Sequence, residues 1–358
     1  MDTLSRVFNL KRFAALLVPM VLLFFLQACS GDKHEDEDIP GMAEDMLEES
    51  YLPAKKDSKD ITITIVPKSL DNPIFLDTKE AAERKCREIG VRFEWVAPYQ
   101  ADEKEQELII ESLIRRKVDG IAISCINPAR IRKVIDKAIE AGIKVCTFDS
   151  DSPDSKRLFY CGTNNYEVGA ACAQALKNVL EQKNKSRDTL KTFVMTGNAD
   201  SYNLRERLRG FEDVCKKEGL KLEYTDVLYC NDDISKAGEL LEKYIRQNYS
   251  TDVFFSVGGW PLIVPSDSLP DFNRWCNDKG TSIVVDTSYP ILVSAKKGMA
   301  DALVGQDFSK MGELSVEYLY RAIKGEKTDL HFIDTGLELA DKNNYDLLLQ
   351  TKKPWDIK

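Results

Sequence analysis

From Ile61 onward, apolar runs of five to nine residues alternate with segments whose apolar residues recur every three or four positions. ITITIVP (61–67), VRFEWVAP (91–98), VDGIAISC (118–125) and IKVCTFDSD (143–151) read as strands. Residues 73–90, 101–117 and 127–142 between them read as helices, two of which close on a glycine, as a helix C-cap does. The rhythm restarts after 157–169. Helical patterns at 169–182, 203–219 and 233–248 alternate with strand-like runs at 190–197, 220–230 and 251–259. A longer segment then leads to a further run at 281–288. Apolar strands alternating with amphipathic helices predict parallel sheets with right-handed crossovers. Two runs of similar size predict an α/β protein of two doubly wound lobes. Ligands of such sheets bind outside the carboxyl ends of the strands, so two facing lobes make a cleft.

The first sixty residues follow no such rhythm. Arg6, Lys11 and Arg12 precede fourteen residues, Phe13 to Leu26, that are almost wholly apolar, and Leu26-Gln27-Ala28-Cys29 follows. A basic start, a short apolar core and a small residue before a cut point predict an export signal over 1–29. At about 1.5 Å per helical residue the run falls short of the roughly 30 Å hydrocarbon core. The L-x-A-C tetrapeptide looks like a bacterial lipobox, in which Cys29 becomes a lipidated N-terminus. Residues 30–60 read as an acidic tether, with nine acids and one lysine between Asp32 and Ser50. The acids beside His34 are read as a solvated spacer rather than a metal site.

Charge and composition narrow the function. The net charge of −9 disfavours nucleic-acid binding, which needs a basic face. Two histidines, His34 and His331, offer no His-rich metal site, and GxxxxGK, GxGxxG, GxSxG and HExxH do not occur. No cofactor is implied, and the chain reads as a binding protein rather than an enzyme. The ends of the expected strands carry Lys68-Ser69-Leu70-Asp71-Asn72, Ser124, Asp149, Asp151, Asn198, Gly258-Gly259-Trp260, Asp286 and Gln306-Asp307. Carboxylates and amides each reach two hydroxyls, an Arg fork donates to ring oxygens, and an aromatic face covers C–H groups. Such a set suits a neutral polyol, although Asp, Asn and Ser also serve as helix caps and turn residues.

At these residues the chain from Ile61 to about Phe332 resembles periplasmic sugar-binding proteins of the ribose-binding type, which share their fold with the effector domain of LacI-type repressors. Ser69-Leu70-Asp71-Asn72-Pro73-Ile74-Phe75 is similar to the family's first-strand turn, and implies Asn72 and Phe75 as sugar contacts. VDGIAIS followed by NP, and IKVCTFDSD, resemble the third and fourth strands, the latter implying Asp149. Arg205-Glu206-Arg207-Leu208-Arg209-Gly210-Phe211 resembles a helix start whose first Arg binds sugar, implying Arg205. The later matches imply Asp286 and Gln306. Ser150 stands where the family often has Arg, and Gly258 where it has Asn. That second contact is lost or passes to Trp260.

The resemblance implies a periplasmic binding protein of type I, with three chain crossings near 161–165, 287–306 and 331–336. The expected first lobe is 61–162 plus 307–330, and the second 163–306 plus 331–358. The implied protein is a monomeric, extracytoplasmic, lipid-anchored receptor that closes on a sugar. It would hand the closed form to an ABC-type permease or, alternatively, to a membrane sensor kinase or chemoreceptor. Eight cysteines besides Cys29 remain. Exported chains often form disulfides, and Cys125 or Cys146 could bridge, but each more simply packs as a small hydrophobe.

Overall fold

The computed structural model describes residues 57–185, 189–327 and 329–355. The signal, the Cys29 lipidation site and most of the tether lie outside these. Among the described residues no helix is long and apolar enough to cross a membrane.

Strands β1 (Thr62–Val66), β2 (Arg92–Trp95), β3 (Gly120–Ile123), β4 (Lys144–Phe148) and β5 (Tyr160–Gly162) form a parallel sheet in the order β5-β4-β3-β1-β2. β1 and β3 are buried along their whole length, which is why they read as unbroken apolar runs. Strands β6 (Leu190–Thr196), β7 (Leu222–Tyr229), β8 (Val253–Ser256), β9 (Thr281–Val285) and β10 (Ala302–Gln306) repeat the order as β10-β9-β8-β6-β7. Two short strands complete the sheets. β11 (Phe332–Asp334) pairs parallel with β5, and β12 (Leu337–Asp341) pairs antiparallel with β10.

The order reverses between β1 and β3 and again between β6 and β8, so each sheet has a switch point where strand ends splay apart. The chain passes between the sheets three times: after β5, after β10, and at Thr335–Gly336. The Thr163 and Thr335 hydroxyls, 3.2 Å apart, tie the first crossing to the third. The Phe308–Ile323 helix returns to pack against the Leu76–Ile89 helix and the first sheet. The expected assignment of everything after 330 to the second lobe needs correction. β11 covers the open edge of β5, which keeps the chain on the first sheet until Asp334. Trp355 also packs on the first lobe's core.

Local signals place the helices near the site. Asn72 accepts a hydrogen bond from the Ile74 amide (3.2 Å) and so caps the turn Pro73–Phe75, while Gly90 closes the next helix at φ 75°. The helix expected from Gly169 begins earlier, at Asn165, because the Asn164 side chain accepts from the Tyr166 and Glu167 amides. That helix lies close against Tyr202–Lys217. A Cβ on Gly169 would stand 1.8 Å from the Arg207 carbonyl oxygen, and one on Gly210 would stand 2.1 Å from that of Tyr166. The eight described cysteines are all free thiols, Cys125 and Cys146 among them, and seven are buried.

The glycine contact gives a test. Gly169→Ala forces two helix backbones apart, an overpacking worth about 1–3 kcal/mol. The melting temperature should fall by several degrees. An unchanged melt would mean that the helices can separate without cost.

Candidate functional site

The carboxyl ends of both sheets face one cavity. It is walled from the first lobe by Lys68, Asn72, Phe75 and Asp149, and from the second by Asn203, Arg207, Asp232, Trp260 and Asp286, with Gln306 and Phe308 where the chain crosses. Every one of these side chains is at least nine-tenths buried. Phe75 is held edge-on by Phe148 and Phe308, with ring centroids 6.3 and 6.0 Å away.

Asp149 and Asp286 occupy matching places, each directly after the fourth strand of its sheet. Both have left-handed backbone, with φ of 54° and 84°. This conformation costs of order 1–3 kcal/mol in a residue with a side chain, and is tolerated best by Asp and Asn. Each carboxylate is fixed from its own lobe. Asp149 accepts from the Ser124 hydroxyl at 2.6 Å. Asp286 accepts from the Gln306 amide at 3.0 Å and from the Gly259 amide at 3.1 Å. Burial raises the Asp286 pKa above the ordinary carboxylate value, opposed by the nearby Arg207 charge and the Gln306 hydrogen bond.

Arg207 is the most extensively anchored side chain here. Its Nε donates to Asn165 Oδ1 at 2.8 Å and its Nη1 to the Val257 carbonyl at 2.9 Å. Its Nη2 forms a 3.9 Å ion pair with Asp149 across the cleft. The lobes meet at further points. Lys68 Nζ reaches Ser201 Oγ (3.3 Å) and Asn203 Oδ1 (3.1 Å), and Ser201 Oγ donates to the Ile126 carbonyl (3.1 Å). This is a closed cleft.

Of the expected residues, Asn72, Phe75, Asp149, Trp260, Asp286 and Gln306 come together on this cavity. Arg205 does not. It is exposed and donates to the Asp200 carbonyl at 2.9 Å, and the guanidinium inside is that of Arg207. The helix explains the correction: Leu204, Arg207, Phe211 and Cys215 recur at three and four residues and form its buried face, whereas Arg205 lies off it. This signal is present in the sequence. Ser150 is buried but lies outside the lining, so this position contributes no side chain to the cavity wall. Gly258 is required by its neighbour, because a Cβ there would fall 2.5 Å from the Trp260 ring. The indole fills the space that a side chain at 258 would take.

Lys68, Asn203 and Asp232 are additions. Lys68 stood among the strand-end residues but was not assigned to the site. Asp232 follows β7 in a turn where Asn231 and Asp232 both have positive φ, and the Asn-Asp pair is its only local mark. Burial raises the Asp232 pKa, with the Lys68 charge opposing. A carboxylate raised in the folded state favours folding below its unfolded pKa, and that contribution is lost as pH rises through the folded value. Asp232→Asn should therefore melt a few degrees higher than the parent at pH 7, with the gain shrinking as pH falls toward 4. A gain that does not change with pH would show that the charge is not its cause.

Residues 63–327 match the family described as periplasmic binding protein domain. The ribose import binding protein RbsB of Bacillus subtilis is 22% identical over 272 residues, covering 75% of this chain and 84% of that protein. Among solved structures, an ABC transporter solute-binding protein from Burkholderia graminis in complex with D-arabinose is 30% identical, with a TM-score of 0.74, covering 81% of this chain and 98% of its own. A glucose-galactose binding protein from Geobacillus stearothermophilus, 24% identical, shares the fold at a TM-score of 0.71 over 81% of this chain and 99% of its own. The two sheets of matching order, the three crossings and the enclosed interlobe cavity accord with these matches, and the chain belongs to the periplasmic binding protein family.

Proposed function

We propose that this protein captures a monosaccharide or related neutral polyol in the interlobe cavity and closes around it. One observation carries the reading. Arg207 Nη2, Asp232 Oδ2 and Gln306 Oε1 are buried polar atoms without a hydrogen-bond partner, and all three belong to residues lining the same cavity. Buried polar groups are ordinarily paired, so three around one cavity call for a ligand bearing both donors and acceptors. Sugar hydroxyls do both. They donate to Asp232 and Gln306 and accept from Arg207, while Phe75 and Trp260 supply apolar walls for the C–H groups. Three carboxylates, Asp149, Asp232 and Asp286, outnumber the cations Lys68 and Arg207, which disfavours acidic sugars. The names of the relatives support a pentose or hexose.

Closure is favoured only by contacts made to both lobes at once. Asn72, Phe75 and Asp149 act from the first lobe, Arg207, Asp232, Trp260 and Asp286 from the second, with Gln306 between them. The closed form is delivered to an ABC-type permease. Cys29 carries the lipid, and the acidic tether spaces the receptor from the membrane.

Calorimetric titration of the sugar that gives the largest thermal shift in a panel of pentoses, hexoses and polyols tests the map. Ligand at about 100 times its dissociation constant adds roughly 2.7 kcal/mol, a shift of several degrees. Arg207→Ala should weaken binding about thirtyfold or more, the cost of breaking a buried charge contact. Arg205→Ala should stay within about twofold of the parent, since an exposed side chain outside the lining contributes little. Equal losses in the two variants would place the site elsewhere, and a panel without a hit on a normally melting protein would exclude a sugar ligand. Capture of a sensor domain rather than a permease by the sugar-loaded protein would redirect the delivery step.

A further inference from the structure

Beyond the cavity the structure holds a fourth link between the lobes. The Tyr345–Thr351 helix belongs to the second lobe, where Tyr345 is 4% exposed and its hydroxyl donates to the Ala300 carbonyl at 3.2 Å. The next residue, Lys352, is pinned to β12 by a 2.8 Å ion pair with Glu338. Three residues further on, Trp355 packs on the first lobe's core. There it lines a groove together with Asp77, on the first turn of the Leu76–Ile89 helix. Lys353 stands 4.0 Å from Glu80 of the same helix, an exposed pair of little weight. Beneath this crossing runs a groove that shares Gln306 and Phe308 with the principal cavity.

Two properties of this segment matter. It is short: three residues span at most about 10 Å when extended. It is also stiff, because Pro354 fixes one φ and biases Lys353 toward extended backbone. Its first-lobe anchor sits on the helix that directly continues the Asn72–Phe75 turn of the cavity wall. Lobes that rotate apart either undock Trp355 or stop where the segment is taut.

We infer that residues 352–355 form a strap across the hinge, with Trp355 docked on the first lobe in the closed arrangement, so that the strap biases the ligand-free receptor toward closure and slows release. A docked strap raises the fraction of binding-competent receptor, and apparent affinity follows that fraction.

The test uses the full chain with Trp355→Ala, and with Trp355→Phe as the variant that keeps part of the ring packing. In the ligand-free protein, Trp355→Ala should increase the radius of gyration measured by small-angle scattering and speed amide exchange in Leu76–Ile89, with Trp355→Phe between it and the parent. Neither reading needs the ligand's identity, so failure here is separate from failure of the sugar assignment. For the sugar found by thermal shift, dissociation should quicken about threefold or more. An unchanged radius and unchanged exchange in Trp355→Ala would overturn the strap. So would a lowered melting temperature with the parent's radius, which would make Trp355 packing alone.

Discussion

A buried guanidinium governs this architecture. Arg207 is 2% exposed, and a charge removed from water to that degree persists only if the fold supplies partners for it. The partners come from three places: Asn165 at the first crossing, the Val257 carbonyl at the end of β8, and Asp149 in the other lobe. Satisfying one side chain thus fixes the close approach of two helices, which glycines at 169 and 210 permit. It also sets the register of a strand end and draws the lobes together. One Nη has no hydrogen-bond partner, so the group that organises the second lobe also presents an unused donor at the cleft.

The two lobes solve one problem twice. Each ends its fourth strand with an aspartate in left-handed backbone, and each holds that carboxylate with a donor from a neighbouring segment. The conformation turns the carboxylate toward the cleft at the cost of local strain, which the surrounding hydrogen bonds sustain. Placing a strained acidic residue at equivalent points of facing sheets gives the cleft two fixed acceptor centres and leaves the remaining wall free to vary.

The fold was largely legible because its signal is cumulative. Buried parallel strands are continuous apolar runs, and their spacing by amphipathic helices leaves few topologies open. The site was legible where it follows strand ends, which place Asn72, Asp149, Asp286 and Gln306 without knowledge of side-chain packing. It was less legible where one residue's role depends on another element. Choosing Arg207 over Arg205 required the helix face rather than motif order, though that face was written in Leu204, Phe211 and Cys215. Asp232 lies in a turn, and neighbouring residues alone could not show that it reaches the cavity. β11 was missed for a similar reason: three residues pair with β5 because its edge stands open, a fact of tertiary arrangement.

The free thiols carry a consequence of a different kind. Burial pushes the thiol pKa of Cys86, Cys161, Cys215 and Cys230 up to about 12, and so suppresses the thiolates that react with oxidants and attack disulfides. The native state is thereby chemically quiet. The unfolded chain is not, since it exposes all of these sulfurs at their ordinary reactivity. In an oxidising compartment each excursion out of the native state is a race between refolding and the first wrong disulfide. How long the protein survives there depends on how seldom its cores open and how quickly they close again.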